Sequence, residues 1–291
     1  LVETDSPVSP TKNLFLTYKF RAFEVGTIHS NYSFITGRIA QDGVNTITFV
    51  VSNSGSYNNI YVQLEDNNGN FSNKLILSET VVDITAPVVT KPLFTSHTPD
   101  TPRNDTKLEY KFHTTEQGNL WYNFNNTVFY KNGGAVGFGV NTLTLTGVQG
   151  INTLKLYVAD ALSNDSNLLV YNNVFVDSIA PNITNVTDTV VTVYNKQRTF
   201  NFNSNEGGKI IESNFGPIEN IIVNPGQNSF NINFSNLHDD NTIETIPGFW
   251  FKVVDDRGNK TAQKFLPGTI VDSRKPKITS WLSDDVNRGQ I

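Results

Sequence analysis

The chain has 291 residues, a net charge of −5 at pH 7, 17% charged residues and no cysteine. This length allows two or three cores of about 100–150 residues, the missing cysteines exclude disulfides and thiolate metal sites, and the acidic balance without a Lys/Arg cluster excludes the basic footprint that nucleic acid requires. With 20 Phe, 10 Tyr and 38 Asn, the composition suits small aromatic cores joined by many turns, and not long helices, whose exposed faces want Glu, Lys and Ala.

The first predicted strand is aromatic and alternating, Tyr18-Lys19-Phe20, and runs into Glu24-Val25-Gly26. A turn and a second strand follow at Gly43-Val44-Asn45-Thr46-Ile47. A third strand, with Ile60, Val62 and Leu64 on one face, enters an acidic hairpin at Asp66-Asn67-Asn68-Gly69-Asn70. The segment closes on Asp83-Ile84-Thr85-Ala86-Pro87, flanked on both sides by β-branched runs and therefore read as a joint between strands.

The same order returns twice. Tyr110-Lys111-Phe112 leads to Glu116-Gln117-Gly118, then Gly139-Val140-Asn141, then Leu154, Leu156 and Val158 before Asp160 through Asn164, and then the joint Asp177-Ser178-Ile179-Ala180-Pro181. Phe200-Asn201-Phe202 leads to Glu206-Gly207-Gly208, then Gly226-Gln227-Asn228, then Phe249, Phe251 and Val253 before Asp255 through Gly258-Asn259, and then Asp272-Ser273-Arg274-Lys275-Pro276. The joint aspartates lie 94 and 95 residues apart, too long for a solenoid unit and right for one sandwich per period. The period-2 alternation, with no sustained 3.6 period, predicts an all-β chain of tandem antiparallel immunoglobulin-like β-sandwiches in an elongated array. The expected repeats are 1–86, 87–180 and 181–275, with 276–291 as the start of a further repeat. A small barrel would leave the joint unexplained. Leu1-Val2-Glu3 carries neither an initiator Met nor a signal-peptide pattern, so the chain is expected to be a piece of a longer array. No apolar run of about 18 residues is present to span a membrane.

An aromatic strand ending in Glu-x-Gly, a Val-x-Asp-x-x-Gly-Asn hairpin and a Val-Asp-x-x-Ala-Pro joint together resemble the bacterial Ig-like repeat of large surface adhesins and related cell-surface proteins. The resemblance covers almost the whole chain. It implies a sandwich fold and an extracellular, cell-surface setting, and it is less specific for function, because such modules serve as stalks, adhesive tips, lattice subunits and appendages of secreted enzymes. The middle repeat departs from the pattern, reading Asp160-Ala161-Leu162-Ser163-Asn164 without the glycine.

The acids have a common phase. Glu24, Glu116 and Glu206 share parity with the aromatics before them, and Asp66, Asp160 and Asp255 share it with the apolar row before them, so all are expected to face inward, which is costly without a partner. In an Ig-like order these segments are strands B and F, whose following loops share one end of the sandwich. Asp83 is thereby expected to meet Glu116 and Asp160, and Asp177 to meet Glu206 and Asp255, with Asn259 as a further ligand candidate. Carboxylates converging without a recurring basic partner point to a hard cation, and calcium, which takes 6–8 oxygens in irregular geometry, fits best. The alternative is turn chemistry alone, with each Asp accepting backbone N–H bonds. A weaker site is expected from Asp5, Glu24 and Asp66, and Asp272 is expected to be a half-built joint, its carboxylate partners lying in a further repeat.

Other chemistry is poorly supported. His29, His97, His113 and His238 lack metal spacing, there is no nucleophile elbow, phosphate loop or His-Glu-x-x-His, and the pairs Asp239-Asp240 and Asp284-Asp285 lie in polar, loop-like sequence. Trp121 is expected in the core and Trp250 on the outer face. Asn-x-Ser/Thr sequons are about as frequent as chance predicts, and no recurring lysine suits an isopeptide bond. The leading expectation is a non-catalytic stalk segment of a bacterial surface adhesin, its joints rigidified by calcium. Its partners would be neighbouring Ig-like repeats of the same chain and a host or surface glycan or protein, with no nucleic acid and no direct membrane insertion. The alternatives are an S-layer or filament subunit, or a glycan-binding module appended to a secreted enzyme.

Overall fold

The computed structural model describes residues 1–93, 98–127, 130–187, 190–194, 196–215, 218–234 and 241–278. Their regular elements are all strands, and no helix among them is long and apolar enough to cross a membrane. The first sequence period contains β1 (Val2–Asp5), β2 (Phe15–Ala22), β3 (Gly26–His29), β4 (Ile39–Ala40), β5 (Gly43–Val50), β6 (Gly55–Tyr57), β7 (Tyr61–Glu65), β8 (Leu75–Ile76) and β9 (Thr80–Val82). The second contains β10 (Val89–Thr90), β11 (Lys107–Thr114), β12 (Gly118–Phe124), β13 (Lys131–Val136), β14 (Gly139–Thr146), β15 (Gly150–Ala159) and β16 (Leu169–Val176). The third contains β17 (Ile183–Thr184), β18 (Val191–Val193), β19 (Gln197–Ser204), β20 (Gly208–Ser213), β21 (Ile222–Val223), β22 (Gly226–Asn233), β23 (Ile243–Ile246), β24 (Phe249–Val254), β25 (Lys264–Leu266) and β26 (Thr269–Asp272).

Each period builds the same pair of sheets. The three-stranded sheets run β1-β2-β5, β10-β11-β14 and β17-β19-β22, and the four-stranded sheets run β4-β3-β7-β8, β13-β12-β15-β16 and β21-β20-β24-β25. Pairing within them is antiparallel, which allows one face of each strand to be apolar and the other wet. Short parallel pairings close the periphery: β18 on β26, and the single bridges Thr11 to Val82 and Arg103 to Val176. The predicted all-β sandwich class is the observed one.

The alternation reads directly as burial. Tyr18 and Phe20, Tyr110 and Phe112, and Phe200 and Phe202 are all fully buried, and Val62 and Leu64, Leu156 and Val158, and Phe251 and Val253 on the opposite sheets are buried too. The recurring Gly-x-Asn has a local cause. Gly43, Gly139 and Gly226 have φ of +104°, +97° and +94°, in the left-handed region where a Cβ is strained. The asparagine two residues later folds back on the chain before it: Asn45 accepts from the Gln41 amide at 2.8 Å, Asn141 from Gly137 at 3.2 Å and Asn228 from Asn224 at 2.9 Å.

Contacts group the chain into two compact units. One comprises Leu1–Pro99, Lys107–Thr146 and Asn152–Val174, and the other Asp100–Thr106, Gly147–Ile151 and Phe175–Ile291. The first holds the core around Tyr18, Phe20, Ile47 and Phe49, together with the buried Leu108, Tyr110, Phe112 and Tyr171. The second holds the core around Phe200, Phe202, Phe230 and Phe251. In that core Arg198 is buried as well: its guanidinium donates to Gly268 O at 2.7 Å and Thr269 Oγ1 at 2.8 Å and lies 4.4 Å from the Phe200 ring centroid.

Candidate metal centres

The hairpin aspartates are built as turn residues first. Asp160 Oδ1 accepts the amides of Leu162 and Asn164, both at 2.8 Å, and its Oδ2 accepts the Asn164 side-chain amide at 2.8 Å. Asp255 repeats this with Arg257, Asn259 and the Asn259 side chain, and Asp66 with Asn68, Asn70 and the Asn70 side chain. Gly69 and Gly258 supply positive φ, and in the middle repeat Ser163 adopts it at 64°. The missing glycine therefore leaves the loop shape intact, because Asp160 holds the turn closed.

The glutamates are placed by a turn and not by strand parity. Their strands end at Thr114 and Ser204, whose buried hydroxyls donate to the main-chain oxygens of Glu116 (2.9 Å) and Glu206 (2.6 Å). The glycine of Glu-x-Gly then brings this turn against the opposing strand end. A Cβ on Gly118 would stand 2.4 Å from Ala159 O, and one on Gly208 2.3 Å from Val254 O, each the carbonyl just before the hairpin aspartate. Only glycine permits that approach, and it sets each glutamate beside its aspartate.

Two joint aspartates complete the clusters. Asp83, Glu116 and Asp160 each offer an oxygen within 4.8 Å of the others, and so do Asp177, Glu206 and Asp255. Each triad lies within one compact unit. Asp160 and Asp255 are buried and the other four half-buried. The first triad opens into a cleft of about 320 Å³ that Pro10, Val81 and Gln117 help to line. Burial, then the charges of Asp83 and Asp160, raise the Glu116 pKa above its ordinary 4.5; burial, then Asp177 and Asp255, do the same for Glu206. The donor set is all oxygen and carries no basic side chain, which fits a hard cation such as calcium. Asp160 and Asp255 each have Oδ1 filled by two amides, so Oδ2 is the oxygen each could offer. The Asn259 amide nitrogen donates to Asp255 Oδ2 and Asp177 O, both at 2.8 Å.

The other sequence candidates are placed differently. Asp5 pairs with Lys19 at 2.9 Å and Glu24 is exposed, so the first repeat brings no such triad together among the described residues. Asp272, expected to be the half-built joint, is held by Arg274, which donates to both carboxylate oxygens at 3.1 and 3.0 Å and lowers the Asp272 pKa. The reason is local: the guanidinium is two residues along the same turn. His29 pairs with Glu65 at 2.6 Å and His113 packs against the Phe138 ring edge. Trp121, expected in the core, is half-buried in a stack on Tyr157, its direct partner across β12 and β15, because it follows the buried Leu120 and so takes the opposite face of the strand. Trp250 is half-buried beside Lys252, between the buried Phe249 and Phe251. His97, His238, Asp239, Asp240, Trp281, Asp284 and Asp285 lie outside the described residues. The Gly118 and Gly208 approaches and the Arg274 clasp escaped the sequence reading; the invariant third position of Glu-x-Gly was the available signal for the former.

No family profile and no characterised protein matches the chain in sequence. Among solved structures, fibronectin(III)-like modules of Clostridium thermocellum CbhA match at 11% identity and TM-score 0.32, covering 60% of this chain and 93% of theirs. A structure of a 1.5-MDa bacterial ice-binding adhesin matches at 12% identity and TM-score 0.39, covering 89% and 91%, and titin domains match at 10% and 0.33, covering 94% and 97%. With every score below 0.5, the fold assignment rests on the sheets described above.

Proposed function

We propose that this chain is a non-catalytic, extracellular structural segment of a bacterial surface adhesin stalk. Its repeats 1–86, 87–180 and 181–275 are stiffened by calcium held at Asp83, Glu116 and Asp160 and at Asp177, Glu206 and Asp255. One observation carries this reading: the same uncompensated three-carboxylate constellation is assembled twice, at equivalent places, from residues distant in sequence. When bound, calcium would supply the positive charge that each triad lacks, joining a joint residue to a turn and a hairpin that follow it. A cation that binds the folded state alone stabilises it by about 2.7 kcal/mol at a hundredfold excess over Kd. Thermal unfolding in EDTA and in millimolar calcium tests this directly: the melting temperature is expected to rise with calcium, and identical melting curves would sink the cation reading.

The stack of Trp121 on Tyr157, with Tyr130 edge-on at 5.3 Å, favours a second reading, a glycan-binding face. A glycan array without hits would remove it.

A further inference from the structure

We propose, building on the cation reading for its effect on affinity, that Asn164 and Asn259 are positioning residues that fasten each joint to the following hairpin before any ion binds. The Asn164 amide nitrogen donates to Asp160 Oδ2 at 2.8 Å and to the main-chain oxygen of Asp83 at 3.1 Å. Asn259 does the same to Asp255 Oδ2 and to the main-chain oxygen of Asp177, at 2.8 Å each. Each amide thus spends one proton on its own hairpin and the other on the joint.

The molecule contains its own control. Asn70 stands at the same place in the first hairpin, bonds Asp66 Oδ2 at 2.9 Å and closes the same turn, with no joint carbonyl bonded to it among the described residues. The hairpin therefore folds without the second bond, and that bond is what Asn164 and Asn259 add.

Its consequence follows from backbone geometry. The Asp83 amide donates to Thr11 O at 2.9 Å and the Asp177 amide to Arg103 O at 2.8 Å. With the N–H held on one side and the C=O held by asparagine on the other, both main-chain torsions of the joint aspartate are fixed, and only its side-chain torsions remain. The flanks are tied too: Ile84 donates to Ser54 Oγ at 2.9 Å and Ser178 to Gln149 Oε1 at 2.7 Å, while Val88 donates to Thr115 Oγ1 at 2.9 Å and Asn182 to Asn205 Oδ1 at 2.6 Å. Three mutually repelling carboxylates would otherwise drive the joint away from the turn and hairpin. Held in advance, they cost a cation less ordering when it binds.

The test uses the full chain with Asn164→Ala, Asn259→Ala and Asn70→Ala. Hydrogen exchange in EDTA reports the latch itself, and terbium luminescence titration reports affinity. Asn164→Ala is expected to speed exchange of residues 84–88 about tenfold and to weaken one terbium site about tenfold, leaving residues 178–182 and the other site unchanged as its folding reference. Asn259→Ala is expected to show the converse, and Asn70→Ala to change neither joint. Unchanged joint exchange in the first two variants, or an equal effect from Asn70→Ala, would overturn the proposal. A wild-type chain that binds no terbium would instead overturn the cation reading, and the exchange data would still decide the role of the asparagines.

Discussion

Replacing Glu116 by Gln should stabilise the protein in EDTA and destabilise it, relative to wild type, in calcium. The carboxylate oxygens of Asp83, Glu116 and Asp160 lie within 4.8 Å of one another. At that distance two unit charges repel by about 1 kcal/mol in water and about 3–4 kcal/mol at an effective dielectric of about 20. Glu116 is half-buried, so solvent and salt screen the interaction and the lower figure applies. Two such pairs give roughly 1–2 kcal/mol of repulsion that glutamine, with the same volume, removes. For a sandwich of about 95 residues, each kcal/mol is worth about 4–8 °C in Tm. In calcium the order inverts, because the variant forfeits a ligand and with it most of the roughly 2.7 kcal/mol available at a hundredfold excess over Kd. Calorimetric melting of both proteins in both buffers gives the four numbers needed. A variant less stable than wild type in EDTA would show that the carboxylates do not repel, and an unchanged order in calcium would show that Glu116 is no ligand.

Two further outcomes are expected. The raised pKa of Glu116 and Glu206 means that the ion-free folded state binds protons before the unfolded chain does. The destabilisation these groups cause is therefore present at neutral pH and is relieved as pH falls through the raised range to below the ordinary 4.5. Stability of wild type minus that of a Glu116→Gln, Glu206→Gln double variant, followed in EDTA from neutral pH to about 4, should climb on acidification; a flat difference would count against the coupling. The second concerns two buried tyrosines at equivalent places. Tyr18 donates to or accepts from Thr80 Oγ1 at 2.8 Å, whereas the buried Tyr110 hydroxyl has no hydrogen-bond partner among the described residues and its pKa is pushed up to about 12 by burial. Urea unfolding should show Tyr18→Phe costing about 1 kcal/mol and Tyr110→Phe costing nothing or gaining up to about 1 kcal/mol, since phenylalanine removes an unmet desolvation penalty. The third period already carries Phe200 there.

The strands and the grouping of the acids were legible in the residues alone, because strand alternation is a local, period-2 property and turn residues such as Gly139 and Asp160 act within four residues of themselves. Repetition then multiplied the signal, so that Asp83, Glu116 and Asp160 could be grouped before any distance was known. Whatever depends on a neighbour across space was not legible there. Parity pointed Glu116 inward as if the strand continued, whereas Thr114 ends the strand and caps the turn. Arg274 folds back on Asp272, and Trp121 stacks on its cross-strand partner Tyr157, on the face opposite the buried Leu120. The two bonds of each asparagine divide the same way: the one to Asp160 is written in the spacing of the hairpin, and the one to Asp83, 81 residues away, exists only in the folded chain.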